Sequence, residues 1–495
     1  MPIEVELKLA LPPRFTRAFL KHPVLAQASA PAVSRRVDNT YFDTPDLALR
    51  QRGVALRVRK IGRRFLQTVK CASPAAAGLS TRPEWETPYR GALDFSAIDD
   101  KPLRRWLASG RIRRRLEPAF QTAFTRRTWR LEPDAGCVIL LMLDQGRVSA
   151  GEQSMPLCEI ELELQTGTAH DLFAIAQTLA ADLPVKPEAL SKAQRGYLVA
   201  TGEHPRPTKA ASSPLDRETT RFEAFRLIAQ SCLDHLQANE AGVIAGEDPE
   251  FVHQMRVALR RLRSALRVFA PILPADRLAG LIPRLRELAG TLGNARDWDV
   301  LGSEMLAPVV AAFPGDVRLR RLDERIAANR AAAQRAAVEA IAAPGYGRLL
   351  IDLGAFLHDP ALKPSDVEQA PLTDFAELRL GELKDRAVKR AKRARSLDVA
   401  RLHALRIGVK RWRYALEFFA PLLPARRVRR CLRRMTALQE DLGTVNDFAN
   451  AGRLLPSCCD QDAALHEASA FVSGWHGPRY GAVLRKLPAD IERLL

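Results

Sequence analysis

The first strand-like segment of the chain carries a charged residue at every second position. Glu4, Glu6 and Lys8 alternate with the apolar Val5 and Leu7. Successive side chains of an extended strand point to opposite faces, so the two carboxylates and the ammonium group share one face. Carboxylate oxygens bind hard divalent cations, and an ammonium group binds phosphate oxygens. The spacing suits a metal ion beside a phosphate-bearing ligand, although a solvated edge strand has the same pattern.

Later segments of the first 200 residues repeat this alternation. Glu159, Glu161 and Glu163 share one face of a segment whose other face is aliphatic. Basic and mixed examples are Arg57 with Arg59, Thr68 with Lys70, and Arg82 with Glu84 and Glu86. If these strands form a closed sheet with polar faces inward, acidic and basic walls oppose each other across a lumen. An open sheet would show the same charges to water.

The elements that must position these residues are mostly strands. Alternation and turn residues predict strands at 3–9, 36–42, 55–60, 65–71, 82–88, 121–131, 138–143, 147–149 and 157–164, with Gln145-Gly146 as a turn. A helix is predicted at 169–181, and a second near Glu188. Many antiparallel strands in succession predict a barrel or closed sheet. Segments 14–22, 99–109 and 169–183 are the helices expected to cover its apolar outside.

Composition sets the broad class of the protein. The 495 residues predict two to four domains, and 47% hydrophobic residues suffice for real cores. A formal charge of +19 favours polyanionic partners such as polyphosphate, nucleotides or nucleic acid. Seven cysteines without paired spacing argue against a disulfide scaffold or zinc site. The acidic N-terminus and the short apolar run at 137–143 predict a cytoplasmic protein without a membrane span.

The second half of the chain is helical and internally repeated. A proline-rich linker at 203–214 separates it from the strands. Beyond the linker, amphipathic helices repeat without gaps at an offset of 150 residues. The repeat relates His253, Arg256, Arg260 and Arg263 to His403, Arg406, Lys410 and Arg413, and Asp297 to Asp447. Such duplication predicts a helical bundle of two related halves.

The repeated charges form a stripe along each helix. His253, Arg256, Arg260, Arg263 and Arg267 step by three and four beside an apolar stripe. Like charges at this spacing repel by about a few tenths of a kcal/mol per pair, so an anion is expected to neutralise them. A solvated arginine-rich face is the alternative. The halves are not identical, because Glu417 stands where the first repeat has Arg267, and Ala449 where it has Asp299.

Five motifs in order give the first half a family resemblance. They are Glu4-Val5-Glu6-Leu7-Lys8, Tyr41-Phe42-Asp43-Thr44-Pro45-Asp46, Ala55-Leu56-Arg57-Val58-Arg59, Glu159-Ile160-Glu161-Leu162-Glu163-Leu164 and Ser191-Lys192-Ala193-Gln194-Arg195-Gly196-Tyr197. Residues 1–202 thereby resemble a CYTH domain of the triphosphate tunnel metalloenzymes, most closely the bacterial inorganic triphosphatase branch. The resemblance implies an eight-stranded antiparallel tunnel with covering helices.

The same resemblance implies roles for the charged residues. Ligands of Mg²⁺ or Mn²⁺ would be Glu4, Glu6, Asp144, Glu159, Glu161 and Glu163. Triphosphate would be bound by Lys8, Arg57, Arg59, Lys70, Arg82, Arg126, Lys192 and Arg195, with Lys8 and Glu161 as the catalytic residues. Arg126 is preferred to its neighbour Arg127 on motif position alone. The helical spacing of Lys192 and Arg195 allows either a place at the tunnel mouth or an ordinary surface position.

The helical half resembles a CHAD domain over residues 215–490, through its repeated His-x-x-Arg-x-x-x-Arg/Lys-x-x-Arg helices. The resemblance implies a basic groove for inorganic polyphosphate and an association with polyphosphate granules. The groove residues would be His253, Arg256, Arg260, Arg263, Arg267, His403, Arg406, Lys410 and Arg413. Aromatic residues are only 6% of the chain, which argues against single-stranded nucleic acid but leaves phosphate-only contacts to duplexes open.

Together these features predict a two-domain protein, α+β followed by all-α. Its expected function is a metal-dependent inorganic triphosphatase, releasing diphosphate and phosphate, joined to a polyphosphate-binding module. One alternative is an organic triphosphate enzyme with the same tunnel, acting on ATP to form cyclic AMP, on thiamine triphosphate or on an RNA 5′ end. The other is a non-catalytic protein that binds polyphosphate or nucleic acid.

Overall fold

The computed structural model describes residues 3–71, 77–246, 248–362 and 371–494. The chain forms two compact units. The first contains Met1–Pro205 together with Ala343–Pro360, and the second contains Arg206–Ala342 and Ala361–Leu495. Residues 203–214, the predicted linker, contain no helix or strand.

The first unit is built on a closed antiparallel sheet. Its strands are β1 (Ile3–Ala10), β2 (Val33–Asp43), β3 (Val54–Ile61), β4 (Arg64–Cys71), β5 (Leu79–Pro88), β6 (Glu117–Leu131), β7 (Val138–Ala150), β8 (Gln153–Thr166) and the short β9 (Lys186–Pro187). The eight long strands follow the order β5-β4-β3-β2-β6-β7-β8-β1, and β1 pairs with β5 to close the ring. This closure confirms the predicted eight-stranded tunnel.

Strand β1 is the seam of this tunnel. Glu4 lies opposite Arg82 of β5, and Lys8 lies opposite Glu161 of β8. Because side chains alternate along a strand, the charged positions of β1 point inward while Leu7 and Leu9 are buried on the outer face. A closed sheet leaves no long free edge, so register and face are fixed around the whole ring.

The first unit also contains short helices. They are α1 (Thr16–Phe19), α2 (Ala48–Gln51), α3 (Lys101–Ala108), α4 (Gly110–Arg113), α5 (Ala169–Asp182) and α6 (Lys192–Thr201), with 3₁₀ turns at Pro13–Phe15 and Pro23–Gln27. Helix α5 packs on β1 and β8, and α3 contributes Leu103 and Leu107 to a core with Trp85. The three predicted covering segments therefore contain helices.

Two sequence-based boundaries are wrong. Gln145-Gly146 is not a turn, because β7 runs without interruption from Val138 to Ala150 and joins two predicted strands. Glycine is needed there for a close strand approach, since a Cβ on Gly146 would lie 2.1 Å from the Ala123 carbonyl oxygen. The helix expected near Glu188 begins at Lys192, after β9 has paired with Leu9 and Ala10.

The rest of the chain is helical. The helices are α7 (Arg221–Gln237), α8 (Glu240–Ala245), α9 (Glu250–Val268), α10 (Ala275–Ala279), α11 (Leu281–Val300), α12 (Ala307–Ala312), α13 (Val317–Ala342), α14 (Pro344–His358), α15 (Leu372–Ala394), α16 (Val399–Phe418), α17 (Ala425–Leu454) and α18 (Ala463–Glu492). A π-helical segment spans Leu301–Leu306, and 3₁₀ turns lie at Ala270–Ile272, Pro360–Leu362, Ala420–Leu422 and Pro456–Cys458.

The second unit consists of two related halves, as the sequence repeat predicts. Helices α7, α9, α11 and α13 pack in succession, and α15, α16, α17 and α18 do the same. The halves pack against each other through α9 with α16 and through α13 with α18. Phe269 packs against Phe225, and also against Phe375 and Phe419, which are the residues 150 positions after Phe225 and Phe269. The repeat therefore supplies the core of the unit as well as its charged stripes.

Helix α14 lies between the two repeats in the sequence and belongs to the first unit. The predicted helical domain, 215–490, includes this helix. The second compact unit is therefore not continuous in sequence, because residues Ala343–Pro360 belong to the first. Among the described residues, no single helix is long and apolar enough to cross a membrane. Helices α13 and α14 meet the length and composition criteria only as a bent pair.

Candidate functional site

The tunnel encloses a charged cavity of about 940 Å³. Most of the residues predicted to bind metal or triphosphate line it: Glu4, Glu6, Lys8, Arg57, Arg59, Lys70, Arg82, Arg126, Glu161, Glu163 and Lys192. The other three, Asp144, Glu159 and Arg195, are buried behind this lining and connect to it through Lys192. The strands and helix α6 therefore bring all fourteen predicted tunnel residues to one cavity and the cluster behind it.

Three carboxylates converge at the β7–β8 side of the cavity. Oxygen atoms of Asp144, Glu159 and Glu161 lie within 4.8 Å of one another. The Lys192 ammonium group stands among them, 2.7 Å from Asp144 and from Glu161, and it also contacts Glu159. Arg126 binds Asp144 through two hydrogen bonds and contacts Glu161 as well. Motif position thus selected the correct one of the adjacent Arg126 and Arg127 to face this cluster.

Helix α6 brings Lys192 and Arg195 to these carboxylates. Ser191 caps the helix by accepting a hydrogen bond from the Gln194 amide, which fixes its first turn beside the cavity. A Cβ on Gly196 would lie 2.0 Å from the Phe120 ring, so only glycine permits this approach. Lys192 and Arg195 are buried, and Arg195 contacts Glu159. Their helical spacing therefore reflects a helix at the tunnel wall and not a surface position.

The carboxylates of β1 are held by cations of the neighbouring strands. Glu4 accepts hydrogen bonds from Lys70 and Arg82 at 2.8–3.0 Å, and Arg82 also donates to Glu6 at 2.9 Å. Burial raises the pKa of Glu4, but Lys70 and Arg82 together outweigh burial and lower it far below the usual range. Glu6 behaves differently, because burial and the nearby Glu161 raise its pKa.

The pKa values of Glu161 and Glu163 are shifted in opposite directions although both residues occupy the same strand face. Burial raises the pKa of Glu161, yet Lys192 and Arg126 outweigh it and hold that pKa well below the usual range. Burial, Glu4 and Glu6 raise the pKa of Glu163 to about 7. Two carboxyl groups of one strand therefore have pKa values shifted in opposite directions, because cations surround Glu161 whereas burial and neighbouring carboxylates act on Glu163.

The wall formed by β3, β4 and β5 contains carboxylates that the predicted site omitted. Glu84 lies 3.0 Å from Lys70 and 3.6 Å from Arg57, and Glu86 lies 3.6 Å from Arg59. Their two-residue spacing after Arg82 is the signal that places them in the lumen. They balance the arginines of β3, so this wall is mixed instead of purely basic.

Asp43 and Tyr197, from two of the sequence motifs, form an anchor beside the cavity. The Asp43 carboxylate accepts hydrogen bonds from the backbone amides of Thr44, Leu49 and Arg50, and from the Tyr197 hydroxyl at 2.6 Å. This buried anchor ties α2 to α6. Asp43 therefore acts on local structure, whereas Tyr41 of the same motif faces the cavity and accepts a hydrogen bond from Arg57.

The residues fit a divalent cation. All the predicted ligands are carboxylates, the donor type that Mg²⁺ and Mn²⁺ prefer. Asp144, Glu159 and Glu161 are close enough together to share one ion, and the Lys192 ammonium group among them shows that their centre accommodates positive charge. Glu4, Glu6 and Glu163 lie along the same β1–β8 seam, where Glu6 is opposite Glu163.

The helical unit contains a second charged cavity, of about 580 Å³. Eight of the nine predicted groove residues line it: His253, Arg256, Arg260, Arg263, Arg267, His403, Arg406 and Lys410. Arg413 does not line the cavity, and its guanidinium lies over the ring of Tyr414, which does. Arg256 donates to the Gly293 carbonyl at 3.2 Å and to Asp297 at 3.4 Å, whereas Arg406 donates to Asn446 at 3.2 Å. These contacts hold the guanidinium groups along the cavity.

Crowded cations change the protonation of this groove. Burial, followed by Arg260 and Arg406, lowers the pKa of Lys410 to about 6. Burial is also the main cause that lowers the pKa of His253 to about 4, despite the opposing effect of Glu250. Arg296, Arg411, Asn446 and Asn450 also line the groove. They lie outside the predicted stripes, and only helix packing brings them to it.

A charged antiparallel tunnel, followed in the sequence by a duplicated helical unit, defines the class of this protein. The CYTH domain model matches residues 2–197, and the CHAD domain model matches residues 227–456. The chain therefore belongs to the proteins that carry a CYTH domain followed by a CHAD domain, which confirms the resemblance read from its motifs.

Individual relatives match each half. An inorganic triphosphatase of Haemophilus influenzae is 31% identical over 211 residues, covering 40% of this chain and 54% of that protein. An uncharacterised protein of Mycobacterium tuberculosis is 35% identical over 175 residues, a third of either chain. The crystal structure of the CHAD domain from the plant Ricinus communis is 35% identical, with a TM-score of 0.51, and covers 58% of this chain and 97% of that one. The chain thus spans about half, or less, of the curated relatives it matches.

Proposed function

We propose that the tunnel hydrolyses the terminal phosphoanhydride bond of inorganic triphosphate, yielding diphosphate and phosphate, and that it requires Mg²⁺ or Mn²⁺. The observation that carries this proposal is the enclosed cavity in which phosphate-binding cations face a carboxylate cluster. The matching Haemophilus influenzae protein, named an inorganic triphosphatase, supports the same reaction.

Asp144, Glu159 and Glu161, with Glu4, Glu6 and Glu163 along the adjoining seam, would hold the metal. When bound, a divalent ion neutralises charge on phosphate oxygens and polarises the bond to be cleaved. The Lys192 ammonium group stands between three of these carboxylates, so its contacts must rearrange when a divalent ion takes their oxygens.

The chain's own cations would bind and orient the substrate. Arg57, Arg59, Lys70 and Arg82 enter from β3, β4 and β5, whereas Lys8 enters from β1. Arginine forks and ammonium groups bind phosphate oxygens and stabilise the charge that develops on the leaving phosphate. Lys8 and Glu161 are paired across β1 and β8, and we assign them to the reacting phosphate. The enclosed wall limits water access, which strengthens each of these contacts.

A purified full-length chain tests this function directly. We expect phosphate release from inorganic triphosphate with Mg²⁺ or Mn²⁺, and none after chelation. A parallel panel with ATP, thiamine triphosphate and 5′-triphosphorylated RNA separates the inorganic substrate from organic ones with the same cation requirement. Faster turnover of any organic triphosphate would contradict the assignment to inorganic triphosphate.

We also propose that the groove of the helical unit binds inorganic polyphosphate. Its cations come from both repeats, and among the described residues that line it, aromatic side chains are limited to Tyr414. Such a surface contacts phosphates without reading bases. Polyphosphate should therefore compete with duplex DNA at equal phosphate concentration and win; displacement of bound polyphosphate by the duplex would favour a nucleic-acid partner instead.

A further inference from the structure

Helix α14 completes the tunnel unit, although it lies between the two helical repeats in sequence. It packs along α5, where a Cβ on Gly354 would lie 2.2 Å from the Phe173 ring. Gln177 of α5 donates to Asp352 at 2.8 Å. Arg348 donates to the carbonyl oxygens of Ala180 and Ala181 at 2.5 and 2.6 Å, which satisfies the C-terminal carbonyl groups of α5.

The same helix also touches the strand that follows α5. A Cβ on Gly347 would lie 2.3 Å from the Val185 carbonyl oxygen and 3.2 Å from the Lys186 Cα atom. Backbone therefore packs on backbone at this position, without a side chain that could adjust. Val185 is almost fully buried, at 1% exposure. Any displacement of α14 at Gly347 is transmitted to β9 because no flexible group separates them.

Strand β9 connects this contact to the cavity. It pairs with Leu9 and Ala10 of β1, and the Glu188 amide donates to the Lys8 carbonyl at 2.9 Å. Four residues later the chain enters α6, whose first residue, Lys192, contacts the carboxylate cluster. Strand β9 and the residue after it therefore adjoin both the backbone of Lys8 and the start of α6.

We propose that α14 is a positioning element of the tunnel: Arg348 anchors it to α5, Gly347 fixes β9, and β9 helps to place Lys8 and Lys192 for catalysis. This role rests on the proposed triphosphatase function. It gives residues 343–360 a part in the reaction although none of the described ones lines the cavity.

Gly347→Ala and Gly345→Ala form a matched pair for the test. A Cβ at Gly345 would meet nothing within 4 Å, so the same methyl group enters the same helix without a clash. Displacement of a binding group by about 1 Å costs up to about 100-fold in rate, so we expect Gly347→Ala to lower kcat/KM for triphosphate about tenfold. Gly345→Ala should stay within about twofold of the unmodified chain, as surface substitutions usually do.

A second readout does not depend on turnover. Hydrogen exchange of the backbone amides in 185–192 should become faster in Gly347→Ala, because the Glu188 amide loses its fixed acceptor. Arg348→Ala removes an anchor without adding atoms, so it serves if Gly347→Ala does not fold. We expect it to speed the same exchange and to lower kcat/KM about threefold, less than Gly347→Ala does, because it loosens α14 without displacing β9 directly.

Gly354→Ala separates positioning from stability. It also overpacks α14, but against the Phe173 side chain instead of β9. It should lower the thermal midpoint yet keep kcat/KM within about twofold of the unmodified chain. Equal losses of kcat/KM in Gly354→Ala and Gly347→Ala, or unchanged exchange at 185–192, would overturn the positioning role. An unmodified chain that does not hydrolyse triphosphate would instead overturn the proposed function, while the exchange comparison would still test α14.

Discussion

At the scale of single residues, the tunnel is governed by ion pairs that a ligand must replace. Lys192 bridges Asp144 and Glu161, and Arg82 bridges Glu4 and Glu6. Breaking one side of a buried pair leaves an uncompensated charge, which is costly. The charges of the cavity are therefore paired within the protein, and a triphosphate with its cations must offer replacement partners of both signs.

Glu161→Gln tests the carboxylate cluster at this scale. The amide keeps the shape of the side chain but removes a negative charge that faces Lys192 and Arg126. We expect a loss of about 100-fold or more in triphosphate turnover, the usual effect of removing one preorganised charged group. Steady-state phosphate release measures it. Glu152→Gln, at an exposed turn, is the matched control and should leave turnover unchanged.

At the scale of elements, the two basic helices α9 and α16 act together. Their cations line one groove. Burial is the main cause that lowers the pKa values of Lys410, Arg256 and Arg406, and the neighbouring cations lower them further. A polyanion reverses this repulsion, and the binding energy therefore depends on how many of these cations are charged.

Arg260→Glu tests the groove. A reversed charge among Arg256, Lys410 and the bound phosphates should weaken polyphosphate binding by at least about tenfold, since a charged hydrogen bond contributes about 1.5–3 kcal/mol. Titration calorimetry measures the change. Arg433→Glu makes the same charge change at an exposed site on α17 and should have a much smaller effect. Equal weakening by both variants would show that total charge, and not the groove, governs binding.

Lys410 predicts a proton linked to ligand binding. Its pKa of about 6 leaves it largely neutral at pH 7.5 in the free protein, and nearby phosphates should restore its charge. Polyphosphate binding is therefore expected to take up a proton above pH 6, so affinity should fall as pH rises. Calorimetry in buffers of different ionisation enthalpy measures this uptake at about pH 7.5. Lys410→Met should abolish it while leaving the remaining cations in place.

The lowered pKa of Lys410 has the opposite effect on folding: polyphosphate affinity should fall as pH rises, whereas the free energy of unfolding should increase. The unfolded chain holds a proton on this lysine up to its ordinary pKa of 10.5, whereas the folded chain releases it at about 6. Because the unfolded state binds more protons across this range, the Lys410 contribution to the free energy of unfolding increases from pH 6 to 10.5. Comparison of urea unfolding of the unmodified chain and Lys410→Met at several pH values isolates that contribution.

At the scale of the whole molecule, the tunnel unit draws on distant sequence. Its α5 face buries Phe173 against residues 344–358 of α14, which the chain reaches only after completing the first helical repeat. Folding of this unit therefore requires a contact between segments more than 150 residues apart. Such long closure slows folding more than it lowers stability.

A fragment of residues 1–205 tests this dependence. Without α14 it should expose the apolar face of α5 and the backbone at Val185, and we expect it to aggregate or to unfold at lower temperature than the unit within the full chain. Circular dichroism with thermal unfolding measures this. Addition of a peptide spanning 343–360 should raise the midpoint, whereas the same peptide with Gly347→Leu and Gly354→Leu should not.

The sequence by itself determined the periodic features of this protein. Alternation in Glu4-Val5-Glu6-Leu7-Lys8 assigned faces correctly because a strand has a period of two, and the 150-residue offset identified both basic helices because duplicated units keep their spacing. Five ordered motifs sufficed to identify the tunnel domain. The histidine-arginine repeats identified the helical domain.

The tertiary structure alone decided features that depend on what lies across from a residue. Gln145-Gly146 has the composition of a turn, yet the close approach of β6 makes it strand. Lys192 and Arg195 have surface-like spacing, yet Gly196 lets their helix reach the cavity. Helix α14 has the same amphipathic sequence pattern as its neighbours, and only its packing on α5 assigns it to the tunnel unit. Local patterns fix the face and period of an element, whereas its partner is chosen by packing over long sequence separations.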